Sequence, residues 1–425
     1  MRYCPEPPRQ VLLLSVVALI FLTPLHATAQ SPRKAPSVRK HKDPARGVRF
    51  ASGQSSLKIP FELSNNFILL QVQVNDSRSL WFILDTGASS SIINAPLVKE
   101  LSLQTKGKIG GSASGKAIEA ELISGVTLSV PGVKVFNQPI AALPIDAVAP
   151  LVGKPIGGII GYDFIKEFVV EVDYAAKVIN LYSPTSFKRS VSGELLPIKF
   201  INKKPALTAK IKLEGRGVIE GTFLIDTGAD GVMTVKSGFV RAHQLLKTLT
   251  ISRRSNLGGA GGASESITAR VQSIQLGRFV IDKPLIELSQ AMKETEVQSN
   301  FAGVLGGEVF RRFTLILDYS RRRIILEPNA HLLEPVEADM SGIELAADGE
   351  DFKTFVVNEV AAESPAAEAG LKEEDELTAV DGRPVSEIGL DQIRQMFKQE
   401  GKEYLITIKR AEQALRFRIK LRRLV

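Results

Sequence analysis

Two acidic residues in matched surroundings are the chain's clearest chemical feature. Asp85 ends the apolar run Leu80-Trp81-Phe82-Ile83-Leu84 and begins Asp-Thr-Gly-Ala; Asp226 follows Leu224-Ile225 and begins the same four residues 141 positions later. Hydrolysing an amide with water and no metal takes a base for the water and an acid for the leaving nitrogen, acting together. Two carboxyls a few ångströms apart supply both, because confined like charges do not both ionise and one proton is shared. Such a pair titrates as a unit. Gly87 and Gly228 have no Cβ, so backbone and substrate can come close to the carboxylates. Thr86 and Thr227 carry hydroxyls able to bond from one turn to the other. Capping of a turn or helix by each Asp is the bland alternative. It accounts for one copy better than for two inside a larger repeat.

That larger repeat supplies the elements that must position the acids. Gly158-Ile159-Ile160-Gly161-Tyr162-Asp163-Phe164, then Val170-Glu171-Val172-Asp173-Tyr174, matches Gly303-Val304-Leu305-Gly306-Gly307-Glu308-Val309, then Leu315-Ile316-Leu317-Asp318-Tyr319, at an offset of 145. Two blocks repeating in one order at nearly one offset indicate a duplicated lobe. In each copy two β-type runs flank a turn ahead of the Asp: 67–74 and 80–84 in the first, 205–213 and 218–225 in the second. Short helices are expected at 96–101 and 236–246. Glycine-rich segments follow at 109–115 and 257–262, and strands at 178–181 and 324–326 close the copies. Asp163, Asp173 and Asp318 read as turn or strand-end residues.

On these residues the chain resembles the aspartic proteases. The Asp-Thr-Gly-Ala turns paired with Ile159-Ile160-Gly161 and Val304-Leu305-Gly306, and the segment 304–313, are similar to the two halves of such an enzyme over residues 55–335. The resemblance implies a mainly β, bilobal, pseudo-twofold fold, a double retropepsin-like β-barrel. It implies Asp85 and Asp226 as catalytic, with the two apolar-apolar-Gly segments supporting their turns. Ala88 and Ala229 stand where pepsin-like enzymes place Ser or Thr, as in retroviral-type proteases. No Tyr lies between Gly87 and Gly161, so the pepsin flap tyrosine is absent. Gly110, Gly111, Gly258 and Gly259 mark candidate flaps. Without the hydroxyl donors the dyad should titrate higher, giving activity at mildly acidic to neutral pH.

Beyond residue 340 the pattern changes. Ser364-Pro365-Ala366-Ala367-Glu368-Ala369-Gly370-Leu371 and the following Asp375-to-Gly382 segment resemble the PDZ domains of bacterial periplasmic proteases, implying a small α/β module at 341–425. Such modules add an extended peptide to a sheet edge beside a helix. The expected edge is 355–360 and the expected helix 391–397, with Phe355, Val357, Ile393 and Phe397 lining the groove. The usual Gly-Leu-Gly-Phe carboxylate loop is not evident; Ser341-Gly342-Ile343-Glu344-Leu345 is a poor substitute. Docking of the module on the second lobe is the bland alternative to substrate capture.

At 425 residues with 44% hydrophobic content the chain is long enough for several packed domains. Arg2 and Arg9, the apolar run 11–22 and Ala27-Thr28-Ala29 read as a signal peptide over 1–29, implying a periplasmic or secreted protein without stable membrane insertion. Cys4, the one cysteine, falls inside it, which leaves no disulfide, thiol nucleophile or cysteine metal site in the rest. The net charge of +8 suggests nucleic acid until it is located. Residues 31–50 alone hold seven Lys or Arg against one Asp, so 30–54 reads as a basic, Pro-containing disordered linker and no nucleic-acid partner is expected. Gly110 to Ala117 matches a phosphate-binding loop but ends in Ala, which cannot ligand Mg²⁺. His243 and His331 stand alone, His26 and His41 lie before residue 55, and neither His-Glu-x-x-His nor Gly-x-Ser-x-Gly occurs.

The expected domains are thus 1–29, 30–54, lobe 1 at 55–190, lobe 2 at 191–335 and the PDZ-like unit at 341–425. The expected activity is exported aspartic endopeptidase acting on polypeptide, with no metal or cofactor, a peptide ligand at the PDZ-like unit, and a monomer because both half-sites share one chain. The competing expectation is a non-catalytic peptide-binding scaffold that retains the fold.

Overall fold

The computed structural model describes residues 21–23, 47–113, 116–188, 192–249, 251–257, 264–290 and 301–424. Signal segment 1–29, apart from 21–23, and the candidate flap glycines Gly258 and Gly259 lie outside the described residues. The described chain is mainly β.

Each lobe begins with the same hairpin. Strands Ser55–Ser64 and Phe67–Val74 turn at Asn65 and Asn66, and strands Lys199–Ile201 and Lys204–Leu213 turn at Asn202 and Lys203. All four turn residues have positive φ, between 46° and 68°. Two left-handed residues make the mirror-type turn that matches the right-handed twist of paired strands, and Asn tolerates that conformation well. Phe67–Val74 then pairs with Ser79–Leu84, and Lys204–Leu213 with Gly217–Ile225. Along Lys204–Leu213 the first four residues are all buried before burial begins to alternate. The alternating part has one face in water; the continuous part is covered on both faces, which marks the end near the partner lobe.

The apolar-apolar-Gly strands lock these hairpins from the side. Ile156–Ile160 runs parallel to Ser79–Leu84 and antiparallel to Ile92–Asn94. Gly303–Leu305 stands in the same relation to Gly217–Ile225 and Met233–Val235. The close approach explains the glycines: a Cβ on Gly161 would come within 3.0 Å of the carbonyls of Ser90 and Ala88, and one on Gly306 equally near those of Gly231 and Ala229.

Six strands join the lobes into one sheet: Ser55–Ser64, Val178–Tyr182 and Val169–Asp173 from the first, Phe313–Asp318, Arg323–Pro328 and Glu194–Pro197 from the second. Val169–Asp173 pairs antiparallel with Phe313–Asp318, and Glu171 faces Ile316. Since 171 and 316 are the same position in the two repeats, the pseudo-twofold axis passes between them, and the lobes meet as an isologous interface would. Buried side chains from both lobes, among them Phe168, Val170, Val172, Phe313, Leu315 and Leu317, belong to one continuous core.

The expected disordered linker over 30–54 is corrected at its end. Gly47–Phe50 is a strand paired with Val133–Phe136, because Val48 and Phe50 are apolar residues two apart that pack on the first lobe, with Phe50 5.9 Å from Phe168. The short strand Phe21–Thr23 pairs with Gly110–Ser112. Among the described residues no helix is long and apolar enough to cross a membrane.

The third unit is a sheet in the order Ile343–Asp348, Thr354–Val360, Glu376–Val380, Glu403–Arg410, Gln413–Lys420, with helices Pro365–Ala369, Val385–Ile388 and Leu390–Met396. Ser364 caps the first helix by accepting from the Ala367 N–H, and Gly370 ends it at φ +92°. Within it, buried Asp375 accepts two hydrogen bonds from Arg410 at 2.6 and 2.7 Å.

Candidate active site

The two Asp-Thr-Gly turns meet at the pseudo-twofold axis. Each is hung from its supporting strand by one equivalent bond: the Asp85 N–H donates to the Ile160 carbonyl and the Asp226 N–H to the Leu305 carbonyl, both at 2.9 Å. Past each turn the chain is held again, with the Tyr162 N–H on the Ala88 carbonyl and the Gly307 N–H on the Ala229 carbonyl. Ile159, Ile160, Gly161, Val304, Leu305 and Gly306 therefore lie where support of the turns requires.

Four cross-lobe hydrogen bonds join the turns. The Thr86 hydroxyl donates to the Ile225 carbonyl at 2.7 Å and accepts from the Thr227 N–H at 3.0 Å. The Thr227 hydroxyl donates to the Leu84 carbonyl at 2.7 Å and accepts from the Thr86 N–H at 3.1 Å. Both threonines are buried, so each hydroxyl satisfies a donor and an acceptor that water does not reach.

This grip places each carboxyl against the opposite glycine. A Cβ on Gly87 would lie within 3.0 Å of the Asp226 carboxyl, and one on Gly228 equally close to that of Asp85. Any side chain there would push a carboxyl aside. Oδ1 of Asp85 accepts from the N–H groups of Gly87 and Ala88 at 2.6 and 3.1 Å, and Oδ1 of Asp226 from Gly228 at 2.9 Å. Neither Oδ2 accepts a hydrogen bond from the rest of the described protein. The two side chains are 1% and 0% exposed, so the centre is closed over in this structure.

Burial is the main force on both acids. It pushes Asp85 well above the usual carboxylate range, helped by repulsion from Asp226 and by a hydrogen bond between the two carboxyls. Asp226 is also raised by burial, but that hydrogen bond stabilises its anion and works against the rise. The attraction of Lys204 lowers both.

Lys204 was not foreseen. It is fully buried at the start of Lys204–Leu213, and burial pulls its ammonium down to about 7 against the attraction of Asp226 and Asp85. Its place was latent in the hairpin: counting back from the turn at 214–216 sets Lys204 across from Asp226. Phe200, Tyr162 and Tyr319 form an aromatic cluster with centroids 4.9 to 6.0 Å apart. The Tyr319 hydroxyl is raised by burial first and then by the charges of Asp85, Tyr162 and Asp226, so it stays neutral beside the centre.

The three other acids hold structure. Asp163 accepts from the Ser91 N–H and hydroxyl at 2.8 and 2.6 Å, and Ser91 in turn accepts from the Gly161 N–H. It thereby ties the chain beyond the first turn to the apolar-apolar-Gly segment. Asp318 caps the turn after its strand and binds Arg321 and Arg323, and Asp173 accepts from the Ala176 N–H. Gly110 and Gly111 sit in the long hairpin of Thr105–Ala113 and Lys116–Val130.

The expected groove of the C-terminal unit is corrected. Thr354–Val360 is paired on both sides, by Ile343–Asp348 and Glu376–Val380, so it offers no edge. Phe355, Val357, Ile393 and Phe397 are buried in the core because alternate residues of that strand point inward. The outer strand beside helix Leu390–Met396 is Ile343–Asp348. The first lobe already packs there: its helix Ala149–Val152 lies on that strand. Arg394 bridges the two units by donating to the Leu151 and Leu345 carbonyls at 2.8 and 2.9 Å. The unit thus packs chiefly on lobe 1, with Asp230 of lobe 2 also at the junction. Asn65 extends the junction, taking Asp391 on its N–H at 3.0 Å and reaching Asp230 with its amide at 2.7 Å. A cavity of about 410 Å³ lies at this junction, bounded in part by Asn65, Asp230, Leu345 and Arg394.

Comparison with known proteins agrees with this anatomy. Residues 70–164 match the aspartyl protease family and residues 356–410 match the PDZ domain family. No curated protein is significantly similar to the chain. The match over the first lobe, the paired Asp-Thr-Gly turns and the C-terminal sheet together give the chain the two-lobed architecture of the retropepsin-like aspartyl protease type with a C-terminal PDZ domain.

Proposed function

We propose that the chain is an aspartic endopeptidase in which Asp85 and Asp226 activate water against a peptide bond. The observation that carries the reading is the convergence of two buried carboxyls, one from each lobe, on opposite glycines, fixed by reciprocal threonine bonds.

The steps follow from one shared proton. The ionised carboxyl takes a proton from water as the water oxygen bonds to the peptide carbonyl carbon, while the protonated carboxyl gives its proton to the carbonyl oxygen. A neutral diol results. On collapse the C–N bond breaks, the nitrogen takes the proton held by the first carboxyl, and a diol hydroxyl returns a proton to the second, restoring the pair. Acid and base assistance of this kind contributes on the order of 10²- to 10⁴-fold. The rigid sheet beneath each turn and the bonds between turns supply the preorganisation that this geometry requires.

Both acids are buried, so polypeptide must gain entry by a local opening, for which the strands Thr105–Ala113 and Lys116–Val130, with Gly110 and Gly111, are the candidate flap. The PDZ domain serves to recruit polypeptide or to regulate access, acting from its docked place on lobe 1. Export through the leader at 1–29, release as a periplasmic or secreted monomer, and the absence of a required metal or nucleic-acid partner complete the proposal. The test is digestion of unfolded casein by purified protein, with chelator present. Cleavage with a rate optimum above about pH 4 is expected; no cleavage at any pH would leave the non-catalytic scaffold.

A further inference from the structure

At one buried position beside the dyad the two lobes differ in charge. In lobe 1 the strand register Leu69 to Ile83 carries on by two residues to set Phe67 opposite Asp85. In lobe 2 the register Ala206 to Leu224 carries on by two residues to set Lys204 opposite Asp226. Phe67 and Lys204 each follow directly the two-residue turn of their lobe's first hairpin, so they are the same position of the repeat. Both are fully buried. Directly opposed residues of an antiparallel pair hold their Cβ atoms about 4.5–5.5 Å apart, close enough for an ammonium to act on a carboxylate.

We propose that Lys204 breaks the twofold symmetry of the dyad, fixing the negative charge on Asp226 and leaving the proton on Asp85. This rests on the hydrolytic reading above for its role in turnover, and it assigns the roles that reading leaves open: Asp226 takes the proton from water and Asp85 protonates the carbonyl oxygen. Lys204 is a positioning residue that acts through the carboxyls. Facing it are Asp226 and Asp85 from the two turns, and Tyr319, kept neutral by burial, lies beside the same pair. Of these only the dyad, as a pair, carries charge. Attraction to Lys204 lowers the acidity range of both, and the protonated lysine brings the singly charged dyad to neutrality. Phe67 offers Asp85 no such help.

The sign of the effect is definite. Removing a cation from beside a carboxylate raises the pH at which it ionises, so loss of Lys204 should move the first ionisation of the pair upward by about 1 pH unit or more. The experiment is a ¹³C NMR titration of the full chain labelled at aspartate Cγ, with the two signals assigned by their loss in Asp85→Asn and Asp226→Asn. In wild type, Asp226 should ionise at lower pH than Asp85. In Lys204→Met the first step should move up and the order should blur, while Lys204→Arg should keep the wild-type pattern. Ionisation of Asp85 first in wild type would overturn the proposal, and that result requires no substitution at Lys204. A Lys204→Met titration superimposed on wild type would overturn it equally. The titration is read without turnover, so failure of the protein to cleave casein would sink the hydrolytic reading and leave the charge assignment to be judged separately.

Discussion

Replacing Thr227 by Val isolates the grip between the lobes. The change removes the hydroxyl that donates to the Leu84 carbonyl at 2.7 Å and accepts from the Thr86 N–H at 3.1 Å, while nearly preserving side-chain shape. Both partners are buried, and each left without a hydrogen bond costs about 1–3 kcal/mol. Two such groups make the expected loss about 2–6 kcal/mol, large beside the roughly 5–15 kcal/mol that ordinarily holds a domain folded. The chain's single tryptophan, Trp81, lies on the strand leading into Asp85, so its fluorescence reports the first lobe. Urea unfolding followed at Trp81 should show the loss even though the substitution is in lobe 2, because the broken bonds end on lobe 1. Thr227→Ser should recover most of it, costing on the order of 1 kcal/mol for the methyl. A Thr227→Val change below about 0.5 kcal/mol, a size typical of ordinary surface substitutions, would refute the claim that these hydroxyls bind the lobes.

Three other outcomes follow from the geometry. Gly87→Ala should depress hydrolysis strongly, since its Cβ would collide with the Asp226 carboxyl; activity within twofold of wild type would contradict the packing. Glu287 is pushed up to about 8, chiefly by burial and then by Asp230, against a hydrogen bond from Thr234. A raised acid binds its proton in the folded state first, so its contribution is whole below pH 4.5 and is lost as pH rises towards 8. Glu287→Gln should therefore raise the melting temperature more at pH 8 than at pH 4.5, by an amount tempered by the side chain's partial exposure. Arg394→Met removes both bonds to the Leu151 and Leu345 carbonyls, and small-angle scattering should show a larger radius of gyration if these hold the PDZ domain on lobe 1.

Much of the centre was legible because its signals are short and occur twice. Asp-Thr-Gly-Ala and the apolar-apolar-Gly segments are local patterns, and their similar offsets of 141 and 145 implied a pseudo-twofold axis before any strand was placed. Glu171 facing Ile316 is the latter offset made physical. Lys204 escaped because its meaning lies in a register eleven positions from the turn that sets it, and Lys on a strand ordinarily signals a solvated face. The PDZ groove was misplaced for a related reason. Phe355 and Val357 alternate as an exposed-edge strand would, but alternation is equally the mark of an inner strand with one face in the core. The junction of Asn65 with Asp230 and Asp391 had no local signal at all, since its partners lie 165 and 326 residues away.

The central claim is that two acids, each inert in its own lobe, make one reactive centre. Kinetics of casein cleavage by Asp85→Asn, Asp226→Asn and the double variant test it most directly. Residues that act as a unit are non-additive, so each single change should lower kcat/KM by about 10²-fold or more and the double should fall no further. Either single variant retaining the wild-type rate, or losses that multiply in the double, would contradict a shared-proton dyad.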